Sequence, residues 1–269
     1  MSKDIHKKKH LSSFQLIILG FASVILLGAI ILMLPVSSAE GVMTPFNQTL
    51  FTSTSAVCVT GLAVLDTGSY WSVFGQVVIL LLIQIGGLGV VTVAVSVFML
   101  SGRKISLMQR STMQNAISAH KVGGIVRLTK FILKGTLFIE MAGALALLPV
   151  FYHDFGRKGI WMAVFHSISA FCNAGFDILG TPANPFPSIT AYAGNPIVNV
   201  VIMFLIIAGG IGFLTWEDIC INKIHFRKYH MQSKIIFVTT ALLIVLPAVF
   251  FFFSDFTHLS VGKRLLASA

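Results

Sequence analysis

The chain has 269 residues, 56% of them hydrophobic and only 10% charged, with a mean hydropathy of +0.90, a balance that excludes an ordinary soluble globular domain. The formal charge of +10 would suit a nucleic-acid binder, but the basic residues are confined to short segments between apolar runs. Membrane topology accounts for that pattern, and no nucleic acid partner is expected.

Residues 1–13 carry Lys3, Lys7, Lys8 and Lys9 and lead into an apolar run at 14–36, too long for a signal-peptide core and read as a retained first span. Residues 37–71 hold no Lys or Arg and are rich in Ser, Thr and Gly, too short and polar to span. A second run, 73–100, contains Gly86-Gly87-Leu88-Gly89 and is followed by a basic stretch at 102–134. Then come an apolar run at 131–152 with Pro149, a semi-polar Ser-rich segment at 159–180, and a run at 197–216 with Gly209-Gly210-Ile211-Gly212. A third basic stretch (Lys223, Arg227, Lys228, Lys234) precedes the last span, 235–254, with Pro247.

These elements repeat. Pro35 and Pro149 precede Gly61 and Gly175 by the same 26 residues, and Phe51, Ser53, Ser55, Ala56, Cys58 and Gly61 match Phe165, Ser167, Ser169, Ala170, Cys172 and Gly175 at an offset of 114. Downstream, Gly86, Gly87, Gly89 and Thr92 match Gly209, Gly210, Gly212 and Thr215 at an offset of 123, the difference falling in a longer second external loop. Pro247 opens a third copy whose glycine would fall near position 273. The expected units are 1–130, 131–233 and an incomplete 234–269.

Charge sets the expected orientation. With the N-terminus, 101–134 and 217–234 in the cytoplasm, fifteen of the 19 Lys and Arg lie inside, leaving Arg157, Lys158, Lys263 and Arg264 outside. This works only if each semi-polar segment re-enters the membrane and returns to the same side. The expected fold is therefore an all-α integral membrane protein built of helix, re-entrant pore loop, helix units, in the manner of a potassium-channel-like transporter.

Such a loop implies a cavity, because unpaired backbone at membrane depth is tolerated only where protein covers it or where it lines a watery space. A short helix aims its C-terminal partial negative charge at the pore, and the following residues offer carbonyl oxygens in place of a cation's hydration shell. Glycine at Gly61 and Gly175 permits backbone angles closed to other residues and keeps bulk out of a narrow path. The candidate filter residues are Val57, Cys58, Val59, Thr60 and Gly61, with Phe171, Cys172, Asn173, Ala174 and Gly175.

Val57-Cys58-Val59-Thr60-Gly61-Leu62, Asp66-Thr67-Gly68 and Gln84-Ile85-Gly86-Gly87-Leu88-Gly89 resemble the first repeat of the Trk/Ktr/HKT superfamily, most closely the Ktr-type potassium uptake membrane subunit. Phe171-Cys172-Asn173-Ala174-Gly175-Phe176 resembles its second filter. The resemblance implies four repeats with one filter glycine each, a homodimer, K+ held by filter carbonyls as substrate, and control by a cytoplasmic ring of nucleotide-binding regulatory subunits. The chain itself is expected to need no cofactor, nucleotide being bound only by that separate ring. In this family glycine at the filter goes with potassium selectivity, and serine in the first repeat of some plant members goes with sodium. The third repeat is expected to stop short of its filter, so that the 269 residues would not conduct alone.

Other residues read more simply. The glycine clusters suit close helix packing rather than a hinge. Cys58 and Cys172 are read as small buried residues, since three scattered cysteines form neither a disulfide framework nor a metal site. Glu140, mid-span, should face the bundle interior or be protonated, most simply in an interhelical hydrogen bond. His166 packs locally. Asp66 and Asp177, just past the two filters, either concentrate cations at an outer mouth or are merely solvated. The helical spacing of Ile105, Met108, Met113 and Ile117 suits docking of the regulatory ring or lying on anionic membrane lipid. The reading is potassium translocation across the cell membrane by a multi-pass protein. Alternatives are a channel assembled from several copies, a non-conducting remnant or an interaction partner; an enzyme is disfavoured because no nucleophile and base pair or metal cluster recurs.

Overall fold

A computed structural model describes residues 12–90, 92–93, 125–254 and 261–268. The basic stretch around 101–124, with its amphipathic spacing at 105–118, and the N-terminal tail lie outside the described residues.

Helix α1 (Ser13–Met33) opens on a reciprocal cap between Ser12 and Gln15 and runs 21 residues, about 32 Å, enough to cross the hydrocarbon of a bilayer. Helix α2 (Phe46–Val57) has only 12 residues, about 18 Å, too short to do so. Helix α3 (Val73–Leu88) follows. The second repeat has the same order: α4 (Ile125–Phe155), α5 (Arg157–Phe171) and α6 (Pro196–Gly210), then α7 (Phe213–Asn222). Helices α8 (Met231–Ser254) and α9 (Val261–Ser268) complete the described chain. Helices α1, α4 and α8 are long and apolar enough to span a membrane, so this is an all-helical, multi-pass membrane protein, without strands among the described residues.

The two repeats superpose in their contacts. Ser53 Oγ donates to the Ile25 carbonyl and Ser167 Oγ to that of Glu140, both at 2.7 Å. An added Cβ at Gly28 would lie 2.5 Å from Ser53 Oγ, and one at Gly143 the same distance from Ser167 Oγ. Gly28 and Gly143 are therefore the seats of the short helices on their long partners, each beneath a leucine, Leu82 and Leu205. Gly28 and Gly143, like Ile25 and Glu140, are offset by 115 residues, not 114. The matched prolines misalign the first helices by one position: Pro35 starts a 3-10 turn after α1 has ended, whereas Pro149 lies inside α4, which continues to Phe155.

The two glycine-interrupted runs are broken at their last cluster glycine. Helix α3 ends at Leu88, where Gly89 takes φ 83°. Between α6 and α7, at Gly212 with the same φ, the axis turns by 97°. Nothing lies within 4 Å of a Cβ at Gly212, and at Gly89 only Thr92 Oγ1 does, at 3.9 Å. Packing does not explain these two glycines. Their backbone angle does, since only glycine adopts it without strain.

The repeats share one core. Leu32, Val57, Trp71, Ile79 and Ile83 from the first are continuous with Leu147, Phe151, Phe165, Phe171 and Leu205 from the second. By contrast α8 has none of its span buried, and it meets mainly α9, where Arg264 lies over the Phe252 ring at 4.3 Å.

Candidate functional site

The short helices α2 and α5 end at Val57 and Phe171, and the chain beyond them is bent in the same way twice. Three successive N–H groups fold back into each helix. Cys58, Val59 and Thr60 donate to the carbonyls of Thr54, Ala56 and Ser55 at 2.8, 3.3 and 3.0 Å. Cys172, Asn173 and Ala174 donate to Ile168, Ala170 and Ser169 at 2.9, 3.0 and 2.8 Å. The donors are thus consumed internally. Among the described residues no donor reaches the carbonyls of residues 58–61 or 172–175.

The backbone alternates. Cys58 and Cys172 have φ −86° and −74°, Val59 and Asn173 have 49° and 57°, and Gly61 and Gly175 have 74° and 72°. A β-branched residue in the left-handed region is a genuine outlier, costing about 1–3 kcal/mol, so the strain at Val59 marks a conformation that the surroundings enforce. Asparagine tolerates that region better, which suits it to the matching position 173.

These two strands meet. A Cβ on Gly61 would lie 2.6 Å from the Ala174 carbonyl oxygen and 3.3 Å from the Gly175 Cα, and one on Gly175 would lie 3.5 Å from the Gly61 Cα. The two segments therefore meet at their far ends, Gly61 against Ala174 and Gly175, while Val57 and Phe171 are their buried roots. Each short helix ends at the root of its segment and so places its C-terminal partial negative charge there. Unpaired neutral carbonyls on a rigid frame, with no ionised side chain among them, suit a weakly held, desolvated monovalent cation. Among the described residues no cluster of His, Cys, Asp or Glu could hold a metal ion.

The supports differ between the two. In the first, Ser55 and Thr60 share a hydroxyl hydrogen bond of 2.8 Å; in the second, Ser169 Oγ donates to the Phe176 carbonyl at 2.6 Å. Cys172 is buried, as expected, but Cys58 is exposed on this chain, a correction to the reading of both as buried. The carboxylate of Asp66 is 7% exposed and fully occupied: Oδ2 accepts from the Ser69 N–H and hydroxyl at 2.7 and 2.6 Å, and Oδ1 from the Phe186 N–H at 2.9 Å. It ties the loop after the first strand to the external loop of the second repeat. Asp177 is half-buried, and its Oδ1 accepts from the Leu179 N–H at 3.1 Å.

The glycine pairs on α3 and α6 carry the frame. A Cβ on Gly86 would sit 2.1 Å from the Val57 carbonyl oxygen and one on Gly209 1.7 Å from that of Phe171, so each lets a helix touch the end of its own repeat's short helix. Gly87 does something else. Its Cβ would meet Cys172 Sγ at 2.6 Å, in the strand of the other repeat.

Two polar bridges between repeats had a visible signal, since an amide or carboxylate within an apolar run needs a partner, but the partner was not deducible. Trp161 Nε1 donates to Gln76 Oε1 at 2.8 Å, and Gln84 Nε2 donates to Glu140 Oε1 at 2.9 Å. The second is the interhelical bond expected of Glu140. His166 is buried, with Nδ1 2.7 Å from the Met162 carbonyl and its ring against Phe151.

The TrkH family, described as cation transport protein, matches residues 6–264. The chain is 40% identical over 257 residues to a potassium/sodium uptake protein, NtpJ, of Enterococcus hirae, covering 95% of this chain and 55% of that protein. It is 38% identical over 261 residues to the Ktr system potassium uptake protein B of Bacillus subtilis (94% and 57%) and 34% identical over 242 residues to that of Vibrio alginolyticus (88% and 51%). The chain thus spans about half the length of the curated relatives it matches.

Proposed function

The chain belongs to the TrkH family of cation transport proteins, and from that premise we propose that residues 57–61 and 171–175 are two selectivity-filter strands of a potassium uptake system. One observation carries this reading: a backbone of alternating φ, with the N–H groups of 58–60 and 172–174 tied inward and, among the described residues, no donor on the carbonyls of 58–61 and 172–175, occurs twice and is brought face to face at Gly61 and Gly175. A cation leaving water must regain oxygens on all sides, more than two strands offer, so further strands complete the ring in the working protein. The relatives' names, potassium uptake and potassium/sodium uptake, favour K+ as the substrate.

In this reading α2 and α5 are re-entrant, residues 1–130, 131–233 and 234–269 are successive repeat units, and the N-terminus faces the cytoplasm of a cell-membrane protein. Asp177, half-buried beyond the second strand, contributes negative charge to the outer mouth, whereas Asp66 holds the loops. The whole protein is a transporter rather than an enzyme, needs no cofactor of its own, dimerises, and is regulated by a separate nucleotide-binding ring, in keeping with relatives named as parts of a Ktr system.

Expressed at its natural full length in a bacterium deficient in potassium uptake, the protein should restore growth at low K+, with uptake competed by Rb+ far more than by Na+. Restored uptake without discrimination among the three would sink the filter assignment. Orientation is checked separately. Single cysteines at Asn184 and at Ser118, the latter outside the described residues, should label with an impermeant maleimide from opposite sides, and labelling of both from one side would exclude re-entrant α5.

A further inference from the structure

We infer that Glu140 is a positioning residue for the second filter strand, acting through Gln84; the inference rests on the filter reading and deepens it. Glu140 lies in the middle of α4 and is 6% exposed. It joins three elements. Its backbone carbonyl accepts from Ser167 Oγ on α5 at 2.7 Å, and its carboxylate accepts from Gln84 Nε2 on α3 at 2.9 Å. Gln84 Oε1 in turn faces Cys172 Sγ, the first residue past α5, at 4.0 Å. One turn along α3, Gly87 leaves room for that same cysteine.

The second strand therefore stands on a helix of the first repeat, and the hydrogen bond to Glu140 holds that helix in register. The bond is particular to this junction. By the repeat offsets, the positions equivalent to Glu140 and Gln84 are Ile25 and Ile207, neither of which can form it. The backbone contact of Ser167 has a counterpart in Ser53 and Ile25, whereas the side-chain bridge has none. A feature needed merely to seat a short helix would be shared by both copies. This one is present only where a strand of one repeat bears on a helix of the other.

The test uses the natural full-length protein in membranes, with every cysteine but Cys172 replaced by serine, and follows alkylation of Cys172 by N-ethylmaleimide. Glu140→Ala and Gln84→Ala should each speed alkylation by about threefold or more, the usual effect of losing one interhelical hydrogen bond in a membrane. Glu140→Gln, which keeps an acceptor oxygen for Gln84, should label at the parental rate, and the double alanine variant should be no faster than either single one. In the protein with its native cysteines, the ratio of KM for Na+ to KM for K+ should fall about threefold in Glu140→Ala and recover in Glu140→Gln. Should Glu140→Ala fail to insert, Gln84→Ala carries the same expectation. Unchanged alkylation in both alanine variants, or acceleration in Glu140→Gln as well, overturns the inference. Absence of K+ uptake by the parent, with this labelling pattern intact, would instead remove the filter reading and leave the positioning contact standing.

Discussion

Gly61→Ser in the full-length protein should abolish selective potassium uptake, and Gly175→Ser should impair it less. Both positions have φ above 70°, where an L residue costs about 1–2 kcal/mol relative to glycine, roughly a tenfold effect at each. Their surroundings separate them. A Cβ at Gly61 would press on the Ala174 carbonyl oxygen at 2.6 Å, a backbone atom fixed by the Ala174 N–H bond to Ser169, so relief requires moving the second strand itself. A Cβ at Gly175 meets nothing nearer than the Gly61 Cα at 3.5 Å, ordinary contact. Gly61→Ser thus damages two strands and Gly175→Ser one. Uptake of K+ measured with and without competing Na+ checks the order. Equal and mild effects would mean that the strands do not bear on each other, and unaffected selectivity in both would take the glycines out of the filter.

Much of this site could be read from residue spacing. The run Phe51, Ser53, Ser55, Ala56, Cys58, Gly61 recurs at constant offset because both copies fold the same short helix and the same turned strand, so side-chain identity follows backbone geometry closely. The long helices were less clear. Lipid-facing apolar positions accept many residues, and the true register is recorded by a few identities at an offset of 115, Gly20 with Gly135 and Gly28 with Gly143 among them, while the prolines that aligned at 114 play different parts, one beyond α1 and one within α4. Hydropathy also cannot report a bend. The run at 197–216 is apolar apart from Asn199 and Thr215, yet the axis turns 97° at Gly212 because of a φ that hydrophobicity does not encode.

Polar groups illustrate the same limit. Asp66 stands in sequence where a mouth-facing charge would stand, but three donors claim it, one from a residue 120 positions away. Nothing local announces Phe186 as a partner. Glu140 could be expected to seek a hydrogen bond inside the bundle, since a carboxylate in hydrocarbon costs at least ~2.5 kcal/mol, but the choice of Gln84 depends on how two repeats dock.

The glycine pairs offer the sharpest contrast available within a dipeptide. Gly209→Ala should prevent correct assembly, whereas Gly210→Ala should leave the second repeat folded. At Gly209 the new methyl would fall 1.7 Å from the Phe171 carbonyl oxygen and 2.8 Å from its carbon, well inside any tolerable separation. That carbonyl ends α5, whose neighbours Phe165, Ser167 and Ala170 are buried, so the helix has no free direction in which to retreat. Overpacking of this kind costs typically about 1–3 kcal/mol and more where backbone must move, here at the root of the filter strand. At Gly210 the nearest atom is Asn173 Nδ2 at 3.8 Å, the end of an exposed side chain. Gly86→Ala should resemble Gly209→Ala, its methyl 2.1 Å from the Val57 carbonyl oxygen, and Gly87→Ala should be harmful for a different reason, displacing Cys172 and with it the strand of the neighbouring repeat. The measurement is the fraction of each variant that is monodisperse in mild detergent, together with its midpoint of thermal unfolding. If Gly209→Ala matched Gly210→Ala in both, the close approach of α6 to the end of α5 would not be what holds the filter frame together.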